Sequence, residues 1–401
     1  MKFQLVKPIF IFTGFLLFFV FFGCTSTQNK THIIEAATGK TAFSFVPDQP
    51  DSSMKKLPQR VSKLRFSNPD EFIRRFAAYA ARRSKNDFEL VKKIHDWIAL
   101  NIKYDAESFY SGNTPAQYYE NTLMSGMAVC DGYSTLFKRI CDELKIECVK
   151  ISGYGRGAGS DVFLPDFWLN SNHAWNMVKL DSNWYLIDCT WDAGYVERRQ
   201  AVQSYKTDYL FTKPEIMIYT HFPEKPEYQL IDPPVTRPVF LEMPRYSPLF
   251  FKYMTEVPSN LKKITEIEGR IKMKLLIKND TFLMFDVLDM FGREIPNGNE
   301  IGRLLKNGKS YEGDFIFTQE GNYIIRLYAS TERYGTYESV VEYGIITTSY
   351  IPTPQDEAMR AINDSLRYDI MNPIIDNTPQ REEDYKREHR ETQEYFNRNM
   401  R

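Results

Sequence analysis

Cysteine is scarce in this 401-residue chain, and the five present (Cys24, Cys130, Cys141, Cys148 and Cys189) never form a C-x-x-C pair. That removes the usual sequence signature of a structural zinc site. No acidic cluster has the spacing of a known calcium loop. Lysine and arginine number 51 against 52 acids, a formal charge of −1. The basic residues are spread along the chain, so no nucleic-acid groove is expected. Histidine is rare too, and residues 236–350 contain neither histidine nor cysteine. That stretch is expected to bind or to space rather than to do chemistry. At 401 residues and 43% hydrophobic content the chain can build about two domains with sizeable cores.

What is present begins with a targeting segment. Lys2 and Lys7 precede a nearly continuous apolar run, Pro8–Phe22, then Gly23–Cys24 and a polar stretch from Thr25. The run is shorter than the ~20 residues a spanning helix needs. A run ending in Gly-Cys resembles a bacterial lipobox, with Phe21 standing where leucine is usual. The resemblance implies cleavage before Cys24, lipid attachment at Cys24, and an exported chain anchored to a cell-envelope membrane, facing the periplasm or the outside. A plain signal peptide or a short anchor is the alternative. Removal of residues 1–23 takes away two lysines and no acid, so the formal charge moves from −1 to −3. Export permits disulfides, and the four remaining cysteines allow three complete pairings. No disulfide framework is expected, because Cys141 and Cys148 sit at core-facing positions.

Residues 24–60 read as a tether, polar and punctuated by Pro47 and Pro50. Ser67–Asn68–Pro69 opens a helix to about Arg83, with a cap residue followed by proline at the first helical position. Asn86–Asp87 opens a second, whose apolar face includes Leu90, Val91, Ile94, Trp97 and Ile98. His95 on that helix reads as a surface or packed histidine. Thr114–Pro115 starts a third helix, leading up to Met127–Ala–Val–Cys130–Asp–Gly–Tyr133. After Cys130, the residues Tyr133, Leu136, Phe137, Ile140, Cys141 and Leu144 form one helical stripe. Cys130 therefore stands at a helix N-terminus, where free N–H groups and the dipole favour an anion and so the nucleophilic thiolate.

Downstream, Glu147–Gly153 is a strand. The glycines and aromatics of Gly155–Asn172, including Phe163, Phe167 and Trp168, suit either a mobile cleft rim or a loop that packs down. His173–Leu180 and Trp184–Thr190 flank the turn Asp181–Ser–Asn183 and form a hairpin. His173 and Asp188 then lie near its outer ends, where a carboxylate can orient an imidazole. Nucleophile, base and orienter are thus available as Cys130, His173 and Asp188. On spacing alone each also has a structural reading: a small buried hydrophobe, a strand-end histidine, and a turn or cap acid. Cys189, on the opposite face, reads as core.

Four segments, Gly126–Tyr133, Val149–Tyr154, His173–Asn176 and Asp188–Trp191, resemble in order and spacing the transglutaminase-like fold of papain-type cysteine enzymes. Asp208–Pro214 and Thr220–Pro223 are similar to the kyphoscoliosis peptidase branch and its bacterial members. Ala128 departs from the glycine often found two residues before the cysteine. The resemblance covers about residues 65–235 and implies a Cys130, His173, Asp188 triad acting on a peptide or glutamine-type carbonyl, followed by an associated β domain. The missing C-x-x-C argues against the glycanase members of the superfamily.

The expected class is α+β: a lipoprotein signal peptide (1–23), a tether (24–60), a transglutaminase-like, papain-like domain (61–235), a small antiparallel β-sandwich (236–350) and a charged tail (351–401). Five or more strands are expected in the sandwich, with candidates at Arg270–Ile277, Thr281–Val287, Tyr311–Phe317, Gly321–Ala329 and Ser339–Thr347. The expected function is cysteine-nucleophile acyl transfer on extracytoplasmic protein or peptide substrates, foremost peptide hydrolysis. Neither cofactor nor metal is expected. The expected partners are the substrate and, through the anchor, a membrane. The competing reading is a surface lipoprotein that keeps the fold without turnover and binds peptide or glycan.

Overall fold

The computed structural model describes residues 49–157, 162–163, 171–278 and 280–348. The signal segment with Cys24, the first half of the tether, the charged tail, and Phe167 and Trp168 of the expected rim lie outside the described residues. The tether expected to reach residue 60 is bound to the fold from Asp51 onward. Three one-turn helices, α1 (Ser52–Lys55), α2 (Gln59–Ser62) and α3 (Leu64–Ser67), lead into the chain. Met54, Leu57 and Val61 insert into the helical core, because apolar residues at this spacing share one side of a turn.

The two expected caps start the long helices. Asn68 Oδ1 accepts from Glu71 N at 3.1 Å at the head of α4 (Pro69–Ala81). Asn86 Oδ1 accepts from Glu89 N at 2.9 Å at the head of α5 (Asp87–Asn101). Strand β1 (Lys103–Tyr104) and helix α6 (Ala106–Ser111) follow. The third helix does not begin at Thr114–Pro115. Residues 113–118 are irregular, and α7 spans Tyr119–Ser125. The side chain of Gln117 in this irregular stretch accepts a hydrogen bond from Val129 N at 3.1 Å, so it braces the approach to Cys130. Helix α7 ends at Gly126 with φ 71°, where glycine turns the chain without a Cβ clash. Strand β2 (Met127–Ala128) then runs parallel to β1, and α8 (Cys130–Glu143) begins at the cysteine itself.

Helix α8 lies against β3 (Cys148–Gly155) and β4 (His173–Leu180). With β5 (Asn183–Ile187), β8 (Leu210–Thr212) and β9 (His221–Pro223) they make an antiparallel sheet of order β8-β5-β4-β3-β9. One face of the sheet gives Val178, Leu180 and Ile187 to the helical core, and the other buries Ile151, Trp175, Met177 and Leu186. This period-2 division is why β4 is buried on both faces. The return strand ends at Ile187, not at Thr190. Asp188 Oδ1 takes the N–H of Thr190, which caps the short helix α9 (Cys189–Ala193) and stops the strand. Strands β6 (Gly194–Glu197) and β7 (Gln200–Gln203) form a hairpin, and α10 (Pro214–Met217) precedes β9. Cys130, Cys141, Cys148 and Cys189 are all free and buried.

The Pro-rich stretch contains α11 (Arg237–Glu242) and α12 (Pro248–Tyr253), each started by a proline. Beyond it, among the described residues, stand seven strands, the five candidates and two more. Sheet β10-β16-β15-β12 joins Ile264–Ile267, Glu338–Thr347, Gly321–Ser330 and Phe282–Asp289. Sheet β11-β14-β13 joins Arg270–Leu276, Ser310–Ile316 and Gly302–Asn307. The two sheets enclose one core around Leu275, Phe315, Ile325, Leu327 and Tyr343. The arrangement is not wholly antiparallel, since β10 pairs parallel to β16. Val162 and the half-buried Phe163 pack beside Leu288 and Ile324, so this part of the 155–172 stretch rests on the second sheet pair. The α+β class therefore stands, with both helical and sheet-rich parts.

The crossing of β9 over β3 is tight at Gly153. A Cβ there would stand against the Phe222 carbonyl, 2.5 Å from the Trp175 ring and 2.7 Å from Pro223 Cα. Gly153→Ala is expected to cost about 1–3 kcal/mol by overpacking, read as a lower urea midpoint; an unchanged midpoint contradicts this packing.

Candidate active site

Cys130 reaches the site because α8 starts on it. Its neighbours Ala128 and Val129 are buried and the β1–β2 pairing fixes the approach. His173 arrives at the start of β4, opposite Gly153 of β3. Its side chain lies against Gly155, where a Cβ would come 2.9 Å from the His173 Cβ and 3.0 Å from two ring atoms; only a glycine leaves that room. Register puts Asn176 opposite Ile187, so His173 and Asp188 project past the paired ends of the hairpin and meet there.

His173 and Asp188 come into direct contact, with Cys130 near them at the start of α8. His173 Nε2 donates to Asp188 Oδ2 at 2.7 Å, and the Cys130 thiol is near enough to raise the proton affinity of the same imidazole. With Nε2 engaged by the carboxylate, Nδ1 is the ring nitrogen open to the sulfur. All three side chains are buried. Burial alone would drive the imidazole neutral. The adjoining Asp188 charge and the Cys130 thiol outweigh it and lift His173 to about 10. Asp188 moves the opposite way: burial pushes its carboxyl up, but His173 and His221 hold it far below the ordinary carboxylate range.

Asp188 is a cap acid and a site acid at once. Its Oδ1 accepts from Thr190 N at 2.8 Å and Trp191 N at 3.2 Å. Its Oδ2 accepts from His173 and, at 3.1 Å, from His221 Nε2. Trp191 stacks on His173 with centroids 4.9 Å apart and tilts over His221 at 4.3 Å. Near the sulfur stands Tyr104, whose phenol is pushed up chiefly by burial, with Cys130 and Asp188 adding to it.

The sequence reading gave no role to His221, although Thr220–Pro223 stood among the quoted segments. A histidine next to a short apolar strand was the only local signal. Its ring nitrogen, that of His173 and an Asp188 oxygen lie within 4.8 Å of one another. In the arrangement described, both contacts to the carboxylate are hydrogen bonds, each with its proton on an imidazole.

His95 is packed and paired. It is fully buried, with Nε2 3.0 Å from Asp192 Oδ2 and Nδ1 3.2 Å from Asp96 Oδ1. Asp192 also accepts from Tyr209 N at 3.0 Å, and Asp96 accepts from Lys92 at 2.7 Å and Tyr205 at 2.6 Å. Because Asp192 lies on α9, this cluster ties the helix capped by Asp188 to α5.

Residues 74–189 match the transglutaminase-like superfamily. Kyphoscoliosis peptidase of Mus musculus is 28% identical over 322 residues, which is 76% of this chain and 46% of that protein. The Homo sapiens protein of the same name is 28% identical over 272 residues, 65% of this chain and 39% of that protein. The chain thus spans less than half the length of either relative. A crystal structure of a TGase aligns with 37% of this chain and 36% of its own at 19% identity, with a TM-score of 0.25.

The His95 cluster makes stability depend on pH. Burial lowers the affinity of His95 for a proton, yet Asp192 and Asp96 raise it to about 9 from the ordinary 6.5. A raised folded value means the stabilisation is complete below about pH 6.5 and is lost as pH climbs through 9. Breaking such a buried pair typically costs about 3–5 kcal/mol. His95→Asn is expected to be destabilised by that order at pH 6, with the gap to the parent narrowing toward pH 10 in urea titrations. A gap independent of pH contradicts this reading.

Proposed function

Starting from the transglutaminase-like superfamily domain in this chain, we propose that the protein is a cysteine-nucleophile enzyme that transfers an acyl group from a protein or peptide substrate, with hydrolysis as the main reaction. Cys130 is the nucleophile, His173 the base and then the acid, and Asp188 the orienter. The observation that carries this reading is His173, bonded through Nε2 to the buried Asp188 carboxylate at 2.7 Å and drawn further toward its charged form by Cys130.

The chemistry follows from that relay. The Cys130 proton rests on the charged His173, and the thiolate sulfur adds to the substrate carbonyl carbon. The oxyanion forms beside the N-terminal N–H groups of α8. His173 returns a proton to the leaving amine, the C–N bond breaks, and a thioester remains on Cys130. Water, deprotonated by the now neutral His173, then releases the acid and leaves the thiolate beside the recharged ring. A lysine amine in place of water gives a crosslink instead. Asp188 keeps Nδ1 turned toward sulfur and offsets the positive ring charge in both half-reactions.

Export and lipid attachment at Cys24 belong to the same proposal, supported by the basic start, the apolar run and Gly23–Cys24. They give an enzyme anchored to a bacterial cell-envelope membrane and facing extracytoplasmic proteins. Among the described residues, no helix is long and apolar enough to cross a membrane.

Mass spectrometry of an extracytoplasmic protein mixture incubated with the parent and with Cys130→Ala tests the function. New peptide termini that need Cys130 are expected. New Gln–Lys links would make the enzyme a transferase, and identical mixtures would reject catalysis. With a cleaved peptide in hand, Asp188→Asn is expected to lower kcat by about 10²- to 10⁴-fold; an unchanged kcat would remove Asp188 from the mechanism.

A further inference from the structure

We propose that His221 is a positioning residue for the triad: a neutral imidazole, protonated on Nε2, that donates the second hydrogen bond to Asp188 Oδ2 and so fixes the ionised carboxylate for His173. This rests on the triad reading above and extends it to a fourth side chain.

The geometry sets the proton positions. An ionised carboxylate only accepts, so the 3.1 Å contact to Asp188 Oδ2 puts a proton on His221 Nε2. His221 Nδ1 stands 2.8 Å from Thr220 Oγ1. In a neutral ring that nitrogen is bare and accepts from the hydroxyl. In a charged ring Nδ1–H would donate to Oγ1, and the hydroxyl proton would turn to the Met217 carbonyl at 3.2 Å. The surroundings decide between the two. The titratable groups packed around His221 are Asp188, His173 and Tyr209, and the indoles of Trp175 and Trp191 close the remaining sides at 4.9 and 4.3 Å. Tyr209 itself stays protonated through burial. His173 is the charged partner of Asp188, and two imidazolium rings on one carboxylate would repel. Burial, opposed by Asp188 but aided by the His173 charge, brings His221 down to about 4. The result is one relay: Thr220, His221, Asp188 and His173.

Strand pairing makes this a built arrangement. β9 pairs with β3 so that His221 stands opposite Gly155, the residue whose missing side chain admits the His173 ring. The same short stretch of β3 thus seats both histidines. Without the His221 N–H, Oδ2 keeps one donor instead of two, and Asp188 becomes easier to protonate.

The first test is ¹⁵N NMR of the histidine-labelled protein, with His221 assigned by its absence in His221→Gln. Between pH 5 and 8 His221 is expected to show a protonated Nε2 and a bare Nδ1. A protonated Nδ1 at pH 7 overturns the proposal. The second test is the rate of Cys130 alkylation by iodoacetamide against pH, followed on the Cys130 peptide by mass spectrometry. His221→Phe is expected to move the acid limb up by about one pH unit. His221→Gln, which can return an N–H to the Nε2 position, is expected to restore most of it. If the parent shows an activated Cys130 and His221→Phe leaves the limb in place, His221 has no positioning role and the triad reading survives. If the parent alkylates like an ordinary thiol near about 8.5, the triad reading fails and this proposal falls with it. Should His221→Phe not fold, Thr220→Val asks the same question: a smaller upward shift supports the relay, and no shift overturns it.

Discussion

The site depends on one buried negative charge. Asp188 is 1% exposed and accepts four hydrogen bonds, two from backbone N–H groups and two from imidazoles. An isolated carboxylate could not stay ionised in such a place. Two of the donors come from α9, which Asp188 itself caps, so helix start and charge stabilisation are the same event. The other two come from β4 and β9. The carboxylate is therefore where a helix, a strand end and a distant strand are joined, and it sets the opposite protonation states of the two histidines on it. His173 is held charged by that oxygen, whereas His221 is kept neutral by burial and the His173 charge, against the pull of the same oxygen.

The rest of the fold positions this knot. Helix α8 delivers the cysteine at its first residue, against a sheet whose central strand begins at His173. A second buried ion cluster, His95 with Asp96 and Asp192, holds α9 to α5. Arg156, just past Gly155, donates to the carbonyls of Met243, at 2.7 Å, and Phe240, and its guanidinium lies 4.0 Å over the Phe240 ring. The end of β3 that flanks both histidines is thus clamped to α11 and the turn after it.

Much of this was legible in the chain because its causes are local. Asn68, Pro69 and Asn86 start helices through their own side chains or ring, and the stripe after Cys130 needs only helical period. The hairpin follows from alternation around Asp181–Asn183. What escaped is non-local or ambiguous. His221 lies 33 residues after Asp188, and only the β9–β3 pairing brings it back. Asp188 ends its strand because its carboxylate competes for backbone N–H groups, which a period-2 pattern does not register. His95 and Asp96 look like surface residues until Asp192 arrives from α9. Strands β10 and β13 were missed because one has four residues and the other exposes Arg303, Leu305 and Lys306.

The central claim is that the Cys130 sulfur takes up an acyl group with His173 as its proton acceptor. The most direct measurement is the rate of acetylation by p-nitrophenyl acetate, acid-quenched and located by peptide mass spectrometry. The account predicts a thioester on Cys130 in the parent, formed at least about 100-fold more slowly in His173→Ala. Equal rates in the two proteins, or acetylation spread over other residues with none on Cys130, would contradict it.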